Sequence, residues 1–149
     1  MDKLIAENKK TYHDYEILEK YEAGIVLYGF EVKAVRNGNI SLKGAYVTFY
    51  NNEAYLTGSF IGKYKPAGGL SDYEPERGRK LLLKKREILY LKGKSEVKGL
   101  TILPLSVYTK GSKVKIEIGI GKGKKQYEKK EKIKKRDIER EVRRTLKKL

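Results

Sequence analysis

The last 29 residues of the chain cannot belong to a folded core. From Gly121 to Leu149 they hold 14 Lys or Arg against 5 acids, a net +9 out of the chain's +16. They open Gly121-Lys122-Gly123-Lys124-Lys125-Gln126-Tyr127 and continue as Lys, Glu and Arg broken by single aliphatic residues. So little apolar mass cannot offset the entropy of ordering the segment, which should stay unfolded until a polyanion neutralises it. The core must come from residues 1–120, with 121–149 as a basic tail. About 120 residues suffice for one modest core and not for two.

The remaining 120 residues still carry 21 basic against 14 acidic side chains, a net of +7. The folded part should therefore present its own positive face to a negative partner, and folded RNA fits both halves of the chain. The chain has no Cys and one His. A Cys-His nucleophile and the usual zinc sites are thereby excluded, and no catalytic, metal or cofactor site is expected. Gly119 to Lys125 lacks the spacing and the Ser or Thr of a phosphate loop. No segment reads as a leader or a membrane span, so the expected compartment is the cytoplasm. Twelve Tyr stand beside no Trp. Most are read as strand residues that pack a ring and wet a hydroxyl, with two assigned to RNA. His13 is either a hydrogen-bonded structural imidazole or an RNA contact. In a strand, His13 and Asp14 would point to opposite faces and could not orient each other.

Residues 15–27 mix β-formers with alternating charge, and Gly24 suggests a bulge that bends the strand. Glu31 to Arg36 reads as a short helix stopped by Asn37-Gly38. Residues 45–50 and 53–57 flank Asn51-Asn52, a pair suited to a tight hairpin. Lys63 to Pro75 should be an exposed loop. Apolar residues at 81, 82, 88 and 89 return one heptad apart, which predicts an amphipathic helix over 77–91. Leu100–Thr109 and Val114–Ile120 should pair across Lys110-Gly111-Ser112, with Val114, Ile116, Ile118 and Ile120 on one face. The fold class is mainly β with short helices, a small closed antiparallel β-barrel of the oligonucleotide-binding type.

The pieces Ile5-Ala-Glu-Asn8-Lys-Lys, His13-Asp-Tyr15, Glu22-Ala-Gly-Ile, Gly29-Phe-Glu31-Val-Lys33, Val35-Arg-Asn-Gly38, Ala45-Tyr-Val47, Arg77-Gly-Arg79-Lys-Leu-Leu-Leu83 and Gly121-Lys-Gly-Lys-Lys125 follow one another in this order. In that order and spacing the chain resembles the family of SsrA-binding proteins, small protein B. The resemblance implies an adaptor and not an enzyme. It implies an oligonucleotide-binding-type domain that grips the tRNA-like part of transfer-messenger RNA. Elongation factor Tu would carry that RNA, and the adaptor would escort it into the vacant A site of a stalled ribosome, touching the small and large subunits. The protein is expected to act as a monomer.

Matched by position, the resemblance implies RNA contacts from Asn8, Glu22, Leu82 and Lys113, with Gly123, Lys124 and Lys125 leading into the tail. Lys9, His13, Arg79 and Lys80 lie in the same matched pieces, and Lys33 and Lys115 join Lys113 as expected phosphate partners. Tyr127, Glu128, Lys129, Lys130, Lys134 and Arg136 are expected at the decoding centre, Glu128-Lys129-Lys130 standing where the family commonly has Asp-Lys-Arg. Residues 65–76 depart from the family pattern. In the tail, Ile138, Val142, Thr145 and Leu149 recur at helical spacing, so it should be coil when free and helix in an RNA channel. From Glu131 to Lys148 that helix would reach about 27 Å. The nearest rival is a ribosomal scaffold protein that binds ribosomal RNA.

Overall fold

A computed structural model of the chain describes residues 3–63 and 72–124. The elements run β1 (Lys3–Glu7), α1 (Lys9–Asp14), β2 (Tyr15–Ile25), α2 (Gly29–Arg36), β3 (Ile40–Ser41), β4 (Tyr46–Tyr50), β5 (Glu53–Thr57), β6 (Phe60–Ile61), β7 (Arg79–Leu82), α3 (Lys85–Ser95), β8 (Leu100–Lys110) and β9 (Lys113–Gly123). Seven strands form one antiparallel sheet in the order β1-β8-β9-β2-β7-β5-β4, and β3 pairs with β6. The fold is mainly β with short helices, as expected.

The spine of the sheet is the β8–β9 hairpin with β2 laid beside it. In β9 the side chains of Val114, Ile116, Ile118 and Ile120 face a core that also holds Leu56, Leu81, Leu91 and Ile102. Lys113, Lys115 and Glu117 take the alternate positions, so the alternation expected from the sequence sets the face of the whole sheet. Tyr15 pairs with Gly123 at one end of the β2–β9 ladder and Gly24 with Lys115 at the other. At ~3.4 Å per residue the two ends stand about 27 Å apart. The hairpin at Asn51-Asn52 forms with φ of 48° and 60°, the left-handed pair such a turn requires.

The expected closed barrel does not form by strand pairing: among the described residues no ladder joins β4 to β8 or β1. The free edge of β8 is already used. Its second half, Ser106 to Thr109, pairs with β1. In its first half Pro104 has no N–H to give to a ladder. Asn8 fills the gap instead. Its backbone N–H donates to the Leu105 carbonyl at 2.8 Å, and its side-chain amide donates to the carbonyls of Leu42 at 3.2 Å and Pro104 at 3.3 Å.

Three local readings are corrected. The bulge of β2 lies between Ile17 and Glu19, whereas Gly24 stays in register with Lys115 and Leu82. The heptad over 77–91 joins two elements: β7 alternates buried Arg79 and Leu81 with outward Lys80 and Leu82, and the helix begins only at Lys85. Pairing with β5 and β2 overrides the helical spacing there. Finally, His13 and Asp14 close α1 instead of starting a strand, and His13 Nδ1 lies 3.0 Å from an Asp14 carboxylate oxygen. The coil-to-helix reading of the tail, from residue 125 on, lies outside the described residues, as does the loop at 64–71. β9 itself continues to Gly123, three residues beyond the division expected at 120.

Gly119 and Gly121, read from sequence beside a failed phosphate loop, are close-approach positions in β9. A Cβ at Gly119 would lie 2.9 Å from Leu105 Cδ1, 3.0 Å from the Glu19 carbonyl oxygen and 3.1 Å from Ile17 Cγ2. The carbonyl belongs to the paired strand and cannot swing away. Gly119→Ala should therefore lose about 1–3 kcal/mol of stability despite the better strand propensity of Ala, as read in urea unfolding midpoints.

Candidate nucleic-acid interface

At the Lys115 end of the β2–β9 ladder the outer face of the sheet and the start of α3 enclose an open groove. Glu22, Lys80, Leu82, Lys84, Lys85 and Lys115 are among its walls. Leu82 is 55 % exposed although it is aliphatic, because β7 turns Arg79 and Leu81 inward and must turn its neighbours out. Gly24 gives it a seat: a Cβ there would come within 3.2 Å of Leu82 Cβ, so the missing side chain lets Leu82 lie across β2.

Glu22 stands among cations. Tyr108 donates its hydroxyl to one carboxylate oxygen, Lys110 Nζ is 3.5 Å from the other, and Lys115 adds its field. The Tyr108 hydrogen bond, reinforced by the two lysines, holds this carboxyl below its usual range. It is ionised at neutral pH and offers a fixed acceptor for base amino groups or 2′-hydroxyls within a basic surround. On the other wall, Lys80 Nζ is 3.0 Å from Glu53 Oε1, and Tyr55 donates to Glu53 Oε2 at 2.8 Å. The Lys80 contact and then the Tyr55 hydroxyl keep Glu53 below its normal value, and Glu53 raises Lys80 in return.

Of the residues predicted to touch RNA, Glu22, Lys80, Leu82 and Lys115 are brought together in this groove. Lys113 follows the turn at Gly111, two residues before Lys115 on the same outward face. Lys33 is exposed on α2, one turn before Arg36, whose guanidinium donates to the Ser112 carbonyl at 2.8 Å. Lys9 and His13 are exposed on α1 at the opposite end of the ladder. There the Lys124 N–H donates to the Asp14 carbonyl at 3.0 Å and the Gly123 N–H to Gly99 at 3.2 Å, so the root of the tail sits beside α1. Lys125, Tyr127, Glu128, Lys129, Lys130, Lys134 and Arg136 lie outside the described residues.

Two predicted contacts are interior instead. Asn8 is only 7 % exposed, its amide committed to the seam between β8 and the Leu42 loop. Arg79 is fully buried. Its guanidinium donates to Glu31 at 2.7 and 3.1 Å, to the Ser59 and Pro75 carbonyls at 3.0 and 2.9 Å, and to the Tyr73 hydroxyl at 2.9 Å. A basic residue in a basic motif reads as a ligand for phosphate. Burial turns this one into the core partner of an acid.

Sequence reasoning missed Tyr108, Glu53 and the pair Lys84-Lys85 as parts of the site. The irregularity of β8 between Pro104 and Ser106 shifts its register, which hides which way Tyr108 points. The heptad places Lys84-Lys85 in the middle of a helix, whereas they form its start, held by the Lys84 N–H donating to Glu87 Oε1 at 3.0 Å. Among the described residues no group of His, Asp and Glu is placed to hold a metal ion, and no helix is long and apolar enough to cross a membrane.

Comparison with known proteins gives a consistent result. The family model described as SmpB protein matches residues 5–148. The SsrA-binding protein of Persephonella marina is 54 % identical over 140 residues, covering 94 % of this chain and 91 % of its own. That of Carboxydothermus hydrogenoformans is 51 % identical over 146 residues, covering 98 % and 97 %. A solved structure described as "tmRNA-SmpB: a journey to the center of the bacterial ribosome" is similar with a TM-score of 0.68 and 45 % identity, over 80 % of this chain and 84 % of that one.

Proposed function

Since this chain belongs to the SmpB family of SsrA-binding proteins, we propose that it binds the tRNA-like domain of transfer-messenger RNA and delivers it to stalled ribosomes in trans-translation. The observation that carries this reading is the groove, where the Glu22 carboxylate and the exposed Leu82 stand among Lys80, Lys84, Lys85 and Lys115, with Glu53 and Glu87 also on its walls. Such a surface suits the contour of a folded RNA. The lysines neutralise phosphates, while Glu22 and Leu82 meet an unpaired base or a 2′-hydroxyl.

The protein acts as an adaptor, without a catalytic step of its own. The curled sheet of residues 1–120 serves as an oligonucleotide-binding-type scaffold, and the segment from 121 on is the extension that meets the ribosome. His13, Lys9 and the root of the tail occupy the end of the ladder far from the groove. RNA is held along the groove and reaches Lys9 and His13, while the tail, through Tyr127 to Arg136, faces the decoding centre and the empty message channel. Elongation factor Tu associates indirectly, through the RNA, and the chain works as a cytoplasmic monomer touching both ribosomal subunits.

The test is binding to a tRNA-like RNA as a function of potassium chloride. With 6–10 phosphates neutralised, affinity is expected to fall by about 10³ to 10⁵ between roughly 50 and 200 mM salt. Lys113→Ala and Lys115→Ala should each lower the slope of log affinity against log salt by about 1. An affinity indifferent to salt would defeat the reading.

A further inference from the structure

The hairpin of β4 and β5 turns an unusual face to solvent. Val47, Ala54 and Leu56 point into the core, and Phe49 packs against it. By alternation, Tyr46, Thr48 and Tyr50 on β4 and Glu53, Tyr55 and Thr57 on β5 point outward. Tyr50 is 69 % exposed and Tyr46 is 44 % exposed. β4 is an edge of the sheet, where soluble proteins commonly place charge to discourage association. Here the outward row carries no charge on β4, and its aromatic rings are not needed to cover the core.

The register ties these rings to the groove. Thr48 pairs with Tyr55, Tyr55 with Lys80, and Tyr50 with Glu53. Asn52 and Glu53 line the groove itself, so the face begins where the groove ends. The Tyr55 ring is braced: its hydroxyl donates to Glu53, which also receives Lys80 at 3.0 Å. Thr48 and Thr57 hydroxyls are 2.9 Å apart and steady the pair of strands. An exposed aromatic face beside a lysine-lined groove matches what unpaired nucleotides need, a π-face for the base with cations nearby for the phosphates.

We propose that Tyr46, Tyr50 and Tyr55 form a stacking platform for unpaired bases of the bound RNA, extending the Leu82 groove across β7 onto the β4–β5 hairpin. This rests on the RNA-binding reading above and adds to it a second mode of recognition, stacking in place of phosphate pairing. Tyr46 and Tyr50, four residues apart on one strand, span about 13 Å, enough for a short run of splayed nucleotides.

The experiment measures full-length protein against a folded tRNA-like RNA and against a single-stranded oligonucleotide of equal length, across a salt series. Tyr50→Ala and Tyr46→Ala are expected to weaken binding of both RNAs by about 5- to 150-fold each, with the salt slope unchanged, because stacking releases no counterions. Tyr50→Phe, which keeps the ring, should rescue most of that loss. Both sites are exposed, and unchanged thermal unfolding will separate a binding loss from a folding loss. Wild-type affinity for both RNAs from the alanine variants overturns the platform. So does a loss accompanied by a shallower salt slope, since that marks an electrostatic effect. A wild-type protein that fails to prefer the tRNA-like RNA overturns the functional reading instead, and the single-stranded arm still decides the platform.

Discussion

Glu31→Gln is expected to destabilise the fold by about 3–5 kcal/mol, on the order of 10–20 °C in Tm. Glu31 and Arg79 are both fully buried, and Arg77 joins the same carboxylate from the rim. The acid also accepts the Tyr28 N–H at 2.8 Å, which caps α2, and the Tyr73 hydroxyl at 2.8 Å, which anchors residues 72–75. One carboxylate thus ties together a helix start, a strand and a loop end. The amide of Gln would keep the shape but leave the Arg79 guanidinium charged and buried without a counter-charge. Most of the cost comes from that orphaned cation and not from the bond itself. Replacing both partners, Glu31→Leu with Arg79→Met, should therefore be less harmful than Glu31→Gln alone. Chemical denaturation of the two variants beside the wild type decides between these outcomes.

The same cluster sets an acid limit. Burial pushes the Glu31 carboxyl up, but hydrogen bonds from Arg77, the Tyr28 backbone, Arg79 and Tyr73 outweigh it, and the net shift is downward. A carboxyl whose folded pKa lies below its unfolded one contributes its full stability above the unfolded value and loses it as pH falls through the folded value. Tyr73, raised to about 12 by burial and then by Glu31, stays protonated and donating at any pH the protein meets.

Ending the chain at Lys124 should abolish the proposed trans-translation on stalled ribosomes, while the thermal unfolding of the domain stays unchanged. The last described ladder contacts, Gly123 and Lys124 with Gly99 and Asp14, are retained in such a variant. What it loses is 12 of the 14 basic residues beyond position 120. Because those charges attract any polyanion, the truncated chain should also show a shallower salt dependence on RNA, yet still prefer a tRNA-like fold to a plain duplex. If trans-translation persists at wild-type rate, the extension has no part in it.

Much of the architecture was legible because the physics is local. The alternation of Val114 to Ile120 dictates a half-buried strand, Asn51-Asn52 tolerates the left-handed turn, and Gly38 at φ 81° stops α2. The reading of 77–91 failed because one strand and one helix share a stretch whose spacing fits a single helix. Leu81, Leu82, Ile88 and Leu89 satisfy a heptad, but a four-residue strand needs only two inward positions, and Arg79 and Leu81 supply them. The fate of Arg79 was hidden for a related reason: its partner Glu31 is 48 positions away, and nothing in either neighbourhood announces the pair. Within the groove, Glu22 and Leu82 came from family resemblance alone. Their physical setting, a tyrosine on a shifted strand and a glycine seat, could only be seen in the fold.

The antiparallel pairing of β2 with β9 makes the distance between the groove and the tail root a stepped quantity. The ladder already absorbs one extra β2 residue at the Ile17/Glu19 bulge; away from that point, lengthening one strand alone by a single residue needs another bulge or sends every following side chain through to the wrong side of the sheet. Adding two residues to each strand would keep the sides and push the ends apart by about 7 Å. The ladder is therefore a gauge with coarse gradations, and between bulges the spacing of groove and tail root changes in whole pleats.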